Sequence, residues 1–292
     1  MTTARWLCVL ILALVPLAPA AAAEATVEAV QSPAWVNRDG LRLPLSAGAA
    51  LSNGDEVVTG VNARARLRLA DGSIVKLGEN ARLRIESLDL AAGAKRLLRG
   101  TLRVLDGAFR FTTAALDKPR FRRELDIEFV TVTAGIRGTD VWGRNFPERE
   151  VVVLIEGEIT VTPRGAAPLP MRDALTFYQA PRTGAPSIQP VPMDLLTEWA
   201  QQTEIQPNRG SLSTSGRWTL SIARFDNQDD ALALYDSLRR DGYPARIRPK
   251  PVAGGQRYHV RLEGFASRAE AEALGARMRE IYPGVAPEPM RR

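Results

Sequence analysis

The sequence predicts a multidomain chain, an all-β domain of short strands followed by a C-terminal α+β unit of βαββαβ, ferredoxin-like order. Three observations predict it. Apolar and basic residues alternate with period two through much of 25–161, prolines then crowd 163–216, and from 217 onward strand-like and helix-like periods succeed one another in a compact order. At 292 residues the chain exceeds what one hydrophobic core usually organises. Its hydrophobic content of 45% and charged content of 25% are those of globular protein, which excludes a disordered chain and a multispanning membrane protein.

The first 23 residues stand apart. Arg5 precedes an apolar run from Trp6 to Leu17, and Pro19 and the Ala21-Ala22-Ala23 triplet follow before Glu24. The run is too short to span a bilayer, and the small residues suit a cleavage site, so 1–23 reads as a secretory signal peptide. No second long apolar run follows, and the mature chain is expected in the periplasm without a transmembrane segment. Cys8, the only cysteine, lies within this signal. The mature chain would then form no disulfide and no thiolate metal site, and packing must supply its stability. The formal net charge of +6, one less without Arg5, favours anionic surfaces weakly.

In 24–162 the alternation is plainest where Ala63, Ala65, Leu67 and Leu69 interleave with Arg64, Arg66 and Arg68, the pattern of a half-buried strand. Leu83 and Ile85 against Arg82 and Arg84, Leu102 and Val104 against Arg103, and Phe109 and Phe111 against Arg110 repeat it. Asn53-Gly54-Asp55, Asp71-Gly72-Ser73 and Gly78-Glu79-Asn80 supply turns between them. If successive strands stack in register, Arg64, Arg66, Arg68, Arg82 and Arg84 form one basic ribbon; otherwise they are a solvated face.

Eight prolines between Pro163 and Pro207 deny the next stretch continuous regular structure, so 163–216 is expected to be a linker or an extended wrapping segment. Leu195, Leu196 and Trp199 sit at helical spacing within it and predict one short helix.

The last unit, 217–292, begins with a strand at Trp218 to Phe225, Leu220 and Ile222 facing inward. A helix from about Asp226 to Arg240 follows, with Asp226 or Asn227 as its cap, Asp229 and Asp230 at the positive end of its dipole and Gly242 at its stop. Ala245 to Arg248 and Tyr258 to Leu262 are strands joined by the Gly254-Gly255 turn. Ser267 caps a helix bearing Ala271, Leu274 and Met278, and Val285 to Met290 supply an edge strand. The helices would roof one sheet face. Thr219, Ser221, His259 and Arg261 would then point the other way, joined by Arg246 and Arg248 if Ala245 and Ile247 are the inward pair.

The C-terminal unit resembles the SPOR domain, the sporulation-related repeat, through the segments 218–225 and 258–265 and the Ala266-Ser267-Arg268-Ala269-Glu270-Ala271 helix start. The sequence departs from the usual pattern at Ser221, Ala223 and Glu263. The resemblance implies binding of peptidoglycan, in particular glycan strands stripped of stem peptides, whose sugars then carry a free lactyl carboxylate. Guanidinium groups suit that anion, so the candidate glycan-binding residues are Arg246, Arg248 and Arg261, with His259 and Ser221 adding polar contacts. The alternative is that all five are merely solvated strand residues. Nucleic acid is disfavoured by the export signal and by the lack of a central aromatic pair on that face.

The β-rich unit resembles the FecR domain family through 54–60, 65–73, 133–141 and 153–159. That family includes regulators that receive a periplasmic stimulus and act on a sigma factor. The usual cytoplasmic segment and spanning helix are absent from this sequence, so what the resemblance implies is an extracytoplasmic module for an unidentified ligand or for an envelope or division protein.

Catalytic signals are missing. The chain has one histidine, no Gly-x-Ser-x-Gly elbow and no phosphate-cradling loop, and His259 alone builds no metal site, so no cofactor and no enzyme are expected. Asp126 with Glu128, and Glu156 with Glu158, offer the spacing of a glycosidase pair, which is also ordinary surface patterning. A glycan-binding protein is the favoured reading, ahead of a sensing module coupled to the wall and of a wall-cleaving enzyme.

Overall fold

The structure is a computed structural model and describes residues 24–91, 96–113, 121–136, 138–181 and 183–291. The expected signal peptide and Cys8 lie outside the described residues, as does Arg137. Short strands with alternating burial dominate. In the first third they are β1 (Ala25–Gln31), β2 (Ala34–Arg38), β3 (Leu41–Pro44), β4 (Ala50–Leu51), β5 (Glu56–Thr59), β6 (Arg64–Leu69), β7 (Ile74–Leu77) and β8 (Arg82–Ala91). A long β9 (Arg96–Thr112) follows, then β10 (Phe121–Glu128), β11 (Val132–Ile136), β12 (Asp140–Asn145), β13 (Arg149–Glu156) and β14 (Ile159–Pro163).

These strands make two layers. One carries β1 paired with β6, then β7, the second half of β9, β12 and β13. The other runs β3, β2, β5, β8, the first half of β9, β10, β11 and β14. β9 passes from one layer to the other at Gly107, where φ is +76 and a Cβ would lie 2.5 Å from the Ala81 backbone. Only glycine suits both the turn and that approach. Leu67, Val75, Phe109, Phe111 and Val152 from the first layer meet Leu83, Ile85, Leu102, Ile127 and Val161 from the second, all buried in one apolar core. The period-two reading is thereby explained, since each layer has one greasy face.

The strands do not stack so as to join the arginines of β6 and β8 into one ribbon. Arg64, Arg66 and Arg68 belong to β6 in one layer and Arg82 and Arg84 to β8 in the other. Each set meets nearby carboxylates: Arg68 meets Glu28 at 3.0 Å, Arg82 meets Glu56 at 3.3 Å, and Arg84 meets Glu86 at 3.4 Å.

Residues 163–216 carry β15 (Leu169–Met171), β16 (Thr176–Pro181), β17 (Ser187–Pro190), α1 (Met193–Gln201) and β18 (Ser211–Ser213). β15 extends the second layer beside β14, while β16 and β17 extend the first beyond β13. Pro170 and Pro190 fall in the edge strands β15 and β17 and Pro181 at the last residue of β16, where a missing N–H costs least. The short helix α1 lays Trp199 on Trp142, the rings parallel with centroids 5.0 Å apart, and Phe177 meets Trp199 edge-on at 5.7 Å. Beyond the helix Glu204 pairs with Lys76 and Arg110.

The C-terminal unit contains β19 (Trp218–Phe225), α2 (Gln228–Arg240), β20 (Arg246–Val252), β21 (Gly255–Phe265), α3 (Arg268–Ile281) and β22 (Glu288–Arg291). Asn227 caps α2 by accepting from the Asp229 and Asp230 amides, and Ser267 caps α3 by accepting from Glu270 N. The antiparallel order is β22, β19, β21, β20, with α2 and α3 on one face over Leu220, Ile222, Val260 and Leu262.

This sheet is joined to the rest through β18, which pairs with β1 on one side and with β21, at Leu212 and Phe265, on the other. The helical side adds further contacts. The indole of Trp35 donates to Arg240 O at 3.0 Å, Arg277 donates to Ser32 O at 3.1 Å, and a Cβ on Gly242 would lie 2.7 Å from the Trp35 ring. Buried Glu270 accepts from the backbone amides of Asn208, Gly210 and Ser211 at 2.7, 2.7 and 2.8 Å.

Candidate functional site

The register of the C-terminal sheet defines its face opposite the helices. Ser221, Arg261 and Arg246 stand in one cross-strand row, and Arg224, His259 and Arg248 in the next. All five sequence-predicted residues therefore share this face. Directly opposed residues of antiparallel strands point the same way, and that geometry is what gathers them. Lys250 opposite Arg257 continues the pattern toward the Gly254 turn.

Arg224 escapes the regular alternation, which places it with the inward residues. A bulge between Ser221 and Ala223 inserts one extra residue, so Ile222 stays in the core while Arg224 moves beside His259. The available signal is the charge itself, since an arginine on the helical side would be buried without need. Lys250 and Arg257 follow from continuing the same parity along β20 and β21.

The five residues differ in access. The side chains of Arg246 and Arg248 are 56% and 49% exposed, and that of Arg261 is 21% exposed. Ser221 and His259, expected to add polar contacts, are instead buried. They lie on the right face but at its floor, flanked by long basic side chains.

Glu263 sits at the centre of the arginines. Its carboxylate is 2.6 Å from Arg261, 3.7 Å from Arg246 and 3.9 Å from Arg248, with its side chain only 8% exposed. Arg224 pairs with Glu288 on β22, and Arg257 with Asp226 at 2.7 Å. Six basic side chains thus face three carboxylates, and the excess lies along the edge strand β20, at Arg246, Arg248 and Lys250. His259 titrates below its ordinary range because burial disfavours the imidazolium and because Lys250, Arg224, Arg257 and Arg261 repel it. Its Nδ1 is buried without a hydrogen-bond partner. The site is a cationic edge over a floor of Ser221 and His259 beside the Glu263 carboxylate.

The N-terminal unit presents a different concavity, a trough of about 920 Å³ on the outer side of its second layer. Thr101, Asp126, Gly135 and Thr160 cross it in one row. Partial burial and the neighbouring Glu128 carboxylate raise the Asp126 pKa. Glu128 itself is bound by Arg103 at 2.7 Å. Among the described residues no group of three or more His, Cys, Asp or Glu is placed to hold a metal ion, and no helix is long and apolar enough to cross a membrane.

Comparison with known proteins agrees with both resemblances. The family model described as FecR protein matches residues 55–160, and that described as SPOR domain matches 214–286. No curated protein matches the chain. Two crystal structures of a "putative anti-sigma factor" from Parabacteroides distasonis, at 1.65 and 2.50 Å resolution, are similar at 12% and 13% identity. They cover 76% and 78% of this chain and 91% of their own, each with a TM-score of 0.39.

Proposed function

We propose, for a chain that carries a FecR domain and a SPOR domain, a non-catalytic role in the bacterial envelope: binding of peptidoglycan glycan strands through the basic face of the C-terminal sheet. The FecR-like unit then serves as a ligand- or partner-binding module on the same body, in the periplasm. The observation that carries this reading is the placement of Arg246 and Arg248, half-exposed, on an edge strand of the face that the helices leave uncovered.

Loss of a stem peptide leaves one carboxylate on an otherwise neutral sugar unit. A guanidinium meets a carboxylate through paired, charge-assisted hydrogen bonds, and its planar fork fixes orientation as well as charge. Arg246 and Arg248 alternate by two along β20, which spaces their Cα atoms about 6.6 Å apart. They are the direct contacts in this reading, with the exposed rim of Arg261 beside them. Ser221 and His259 support the arginines from below.

Sedimentation of the full chain with sacculi tests the reading. Sacculi treated with an amidase that removes stem peptides should pellet more protein than untreated ones, and Arg246→Ala with Arg248→Ala should leave the protein in the supernatant with its circular dichroism unchanged. Equal pelleting with both kinds of sacculi would refute stripped-glycan recognition. Release of soluble muropeptides would point to hydrolysis instead.

A further inference from the structure

We propose that Glu263 is the selectivity element of this face, occupying the inner anion position between Arg246, Arg248 and Arg261 so that well-separated carboxylates are accepted and dense polyanions are refused. The inference rests on the glycan-binding reading and deepens it by naming the charge density of the ligand class.

The argument is one of geometry and desolvation. A carboxylate whose side chain is 8% exposed has lost most of its water, and the arginines around it replace that hydration. Arg261 is committed, its guanidinium 2.6 Å from Glu263 and largely covered. Arg246 and Arg248 are held only loosely, at 3.7 and 3.9 Å, beyond ordinary hydrogen-bond length, so their donors remain available to an incoming anion. A ligand carboxylate at the outer edge can bridge those two guanidiniums while staying away from Glu263. A polyanion with a charge on every unit must place some of them near the floor of the face, where Glu263 repels them and where buried His259 is neutral and supplies no compensating charge. Lys250, Arg224 and Arg257 surround that floor, but Arg224 and Arg257 already have carboxylate partners.

The test compares Glu263→Gln with the wild-type full chain against two probes, amidase-stripped glycan strands and oligothymidylate as a generic dense polyanion. The variant should bind oligothymidylate about five- to tenfold more tightly at low salt, with a log K against log salt slope steeper by about 0.7, the mark of one more cation engaged with phosphate. Binding of stripped glycan should tighten by a smaller factor, so the preference for glycan falls. Glu263→Ala, expected to behave alike, guards against a misplaced amide. Unchanged oligothymidylate affinity and slope in folded variants would overturn the proposal, as would loss of the fold in both, which would make Glu263 a structural anchor. Failure of the wild type to bind stripped glycan would refute the glycan reading alone, because the oligothymidylate comparison still judges Glu263.

Discussion

The outer face of the C-terminal sheet and the outer trough of the N-terminal unit are both open sides of one-sided sheets, yet their side chains differ in kind. On the first, six basic side chains crowd a floor of Ser221 and His259, and the carboxylate of Glu263 is drawn inward among them. On the second, Thr101 stands beside Asp126, Gly135 on its other side contributes no side chain, and Thr160 lies beyond the glycine. The contrast teaches that two one-sided sheets can carry very different side chains on their open faces, so that the side chains and not the fold set what each surface offers. The two surfaces are also parts of one body, because β18 pairs with strands of both units.

That connection is where the largest effect is expected. Glu270→Ala would leave the amides of Asn208, Gly210 and Ser211 without their acceptor, and one to three kcal/mol per unsatisfied group, reduced by entering water, suggests a loss of about 3 kcal/mol. Thermal unfolding of the variant should show the transition lowered, and an unchanged midpoint would mean that the units are coupled elsewhere. Next in size is charge reversal on one face only. Arg246→Glu with Arg248→Glu should weaken binding to stripped glycan about 100-fold, equivalent to about 2.7 kcal/mol, whereas Asp126→Asn should leave it unchanged in the same sedimentation assay. Loss of glycan binding in the Asp126 variant would erase the distinction between the two surfaces.

Smaller effects should separate them by pH. The folded pKa of His259 lies below its ordinary 6.5, so the unfolded chain binds the proton more readily; the contribution is intact above 6.5 and is lost as pH falls from there through the folded value. His259→Gln should remove that part of the acid loss in denaturant titrations at pH 7 and 5. Asp126 has the opposite sense. Its folded pKa lies above 3.8, so stability declines as pH rises from 3.8 through the folded value, and Asp126→Asn should raise the melting temperature slightly at pH 7. The gain is small because Asp126 is only partly desolvated and solvent still screens its carboxylate.

Much of the candidate site is legible in the residue pattern. Once Leu220, Val260 and Leu262 are taken as core, parity along three strands places Ser221, His259, Arg261, Arg246 and Arg248 on the opposite side. Arg224 is not legible, because a bulge changes parity without leaving a sequence period. Nor is the depth of His259 and Ser221, which depends on how neighbouring arginines lie across them. The helix caps are readable at Asn227 and Ser267 because capping is a local hydrogen bond between residues two or three apart. The fate of Arg64 to Arg84 is not, since strands adjacent in sequence enter different layers.

By itself the sequence determined local facts: the period-two strands of the β-rich unit, the order of strands and helices in the C-terminal unit, which side of those strands is apolar, and the families that those patterns resemble; the strands within 163–216 escaped it. The local facts follow from backbone sterics, capping and hydrophobic period, all of which act over a few residues. Tertiary structure alone decided which strands became neighbours, that 163–216 stitches both layers to the C-terminal sheet, and that Glu263 meets three arginines. Such contacts depend on register and long-range pairing, and no short window of sequence contains them.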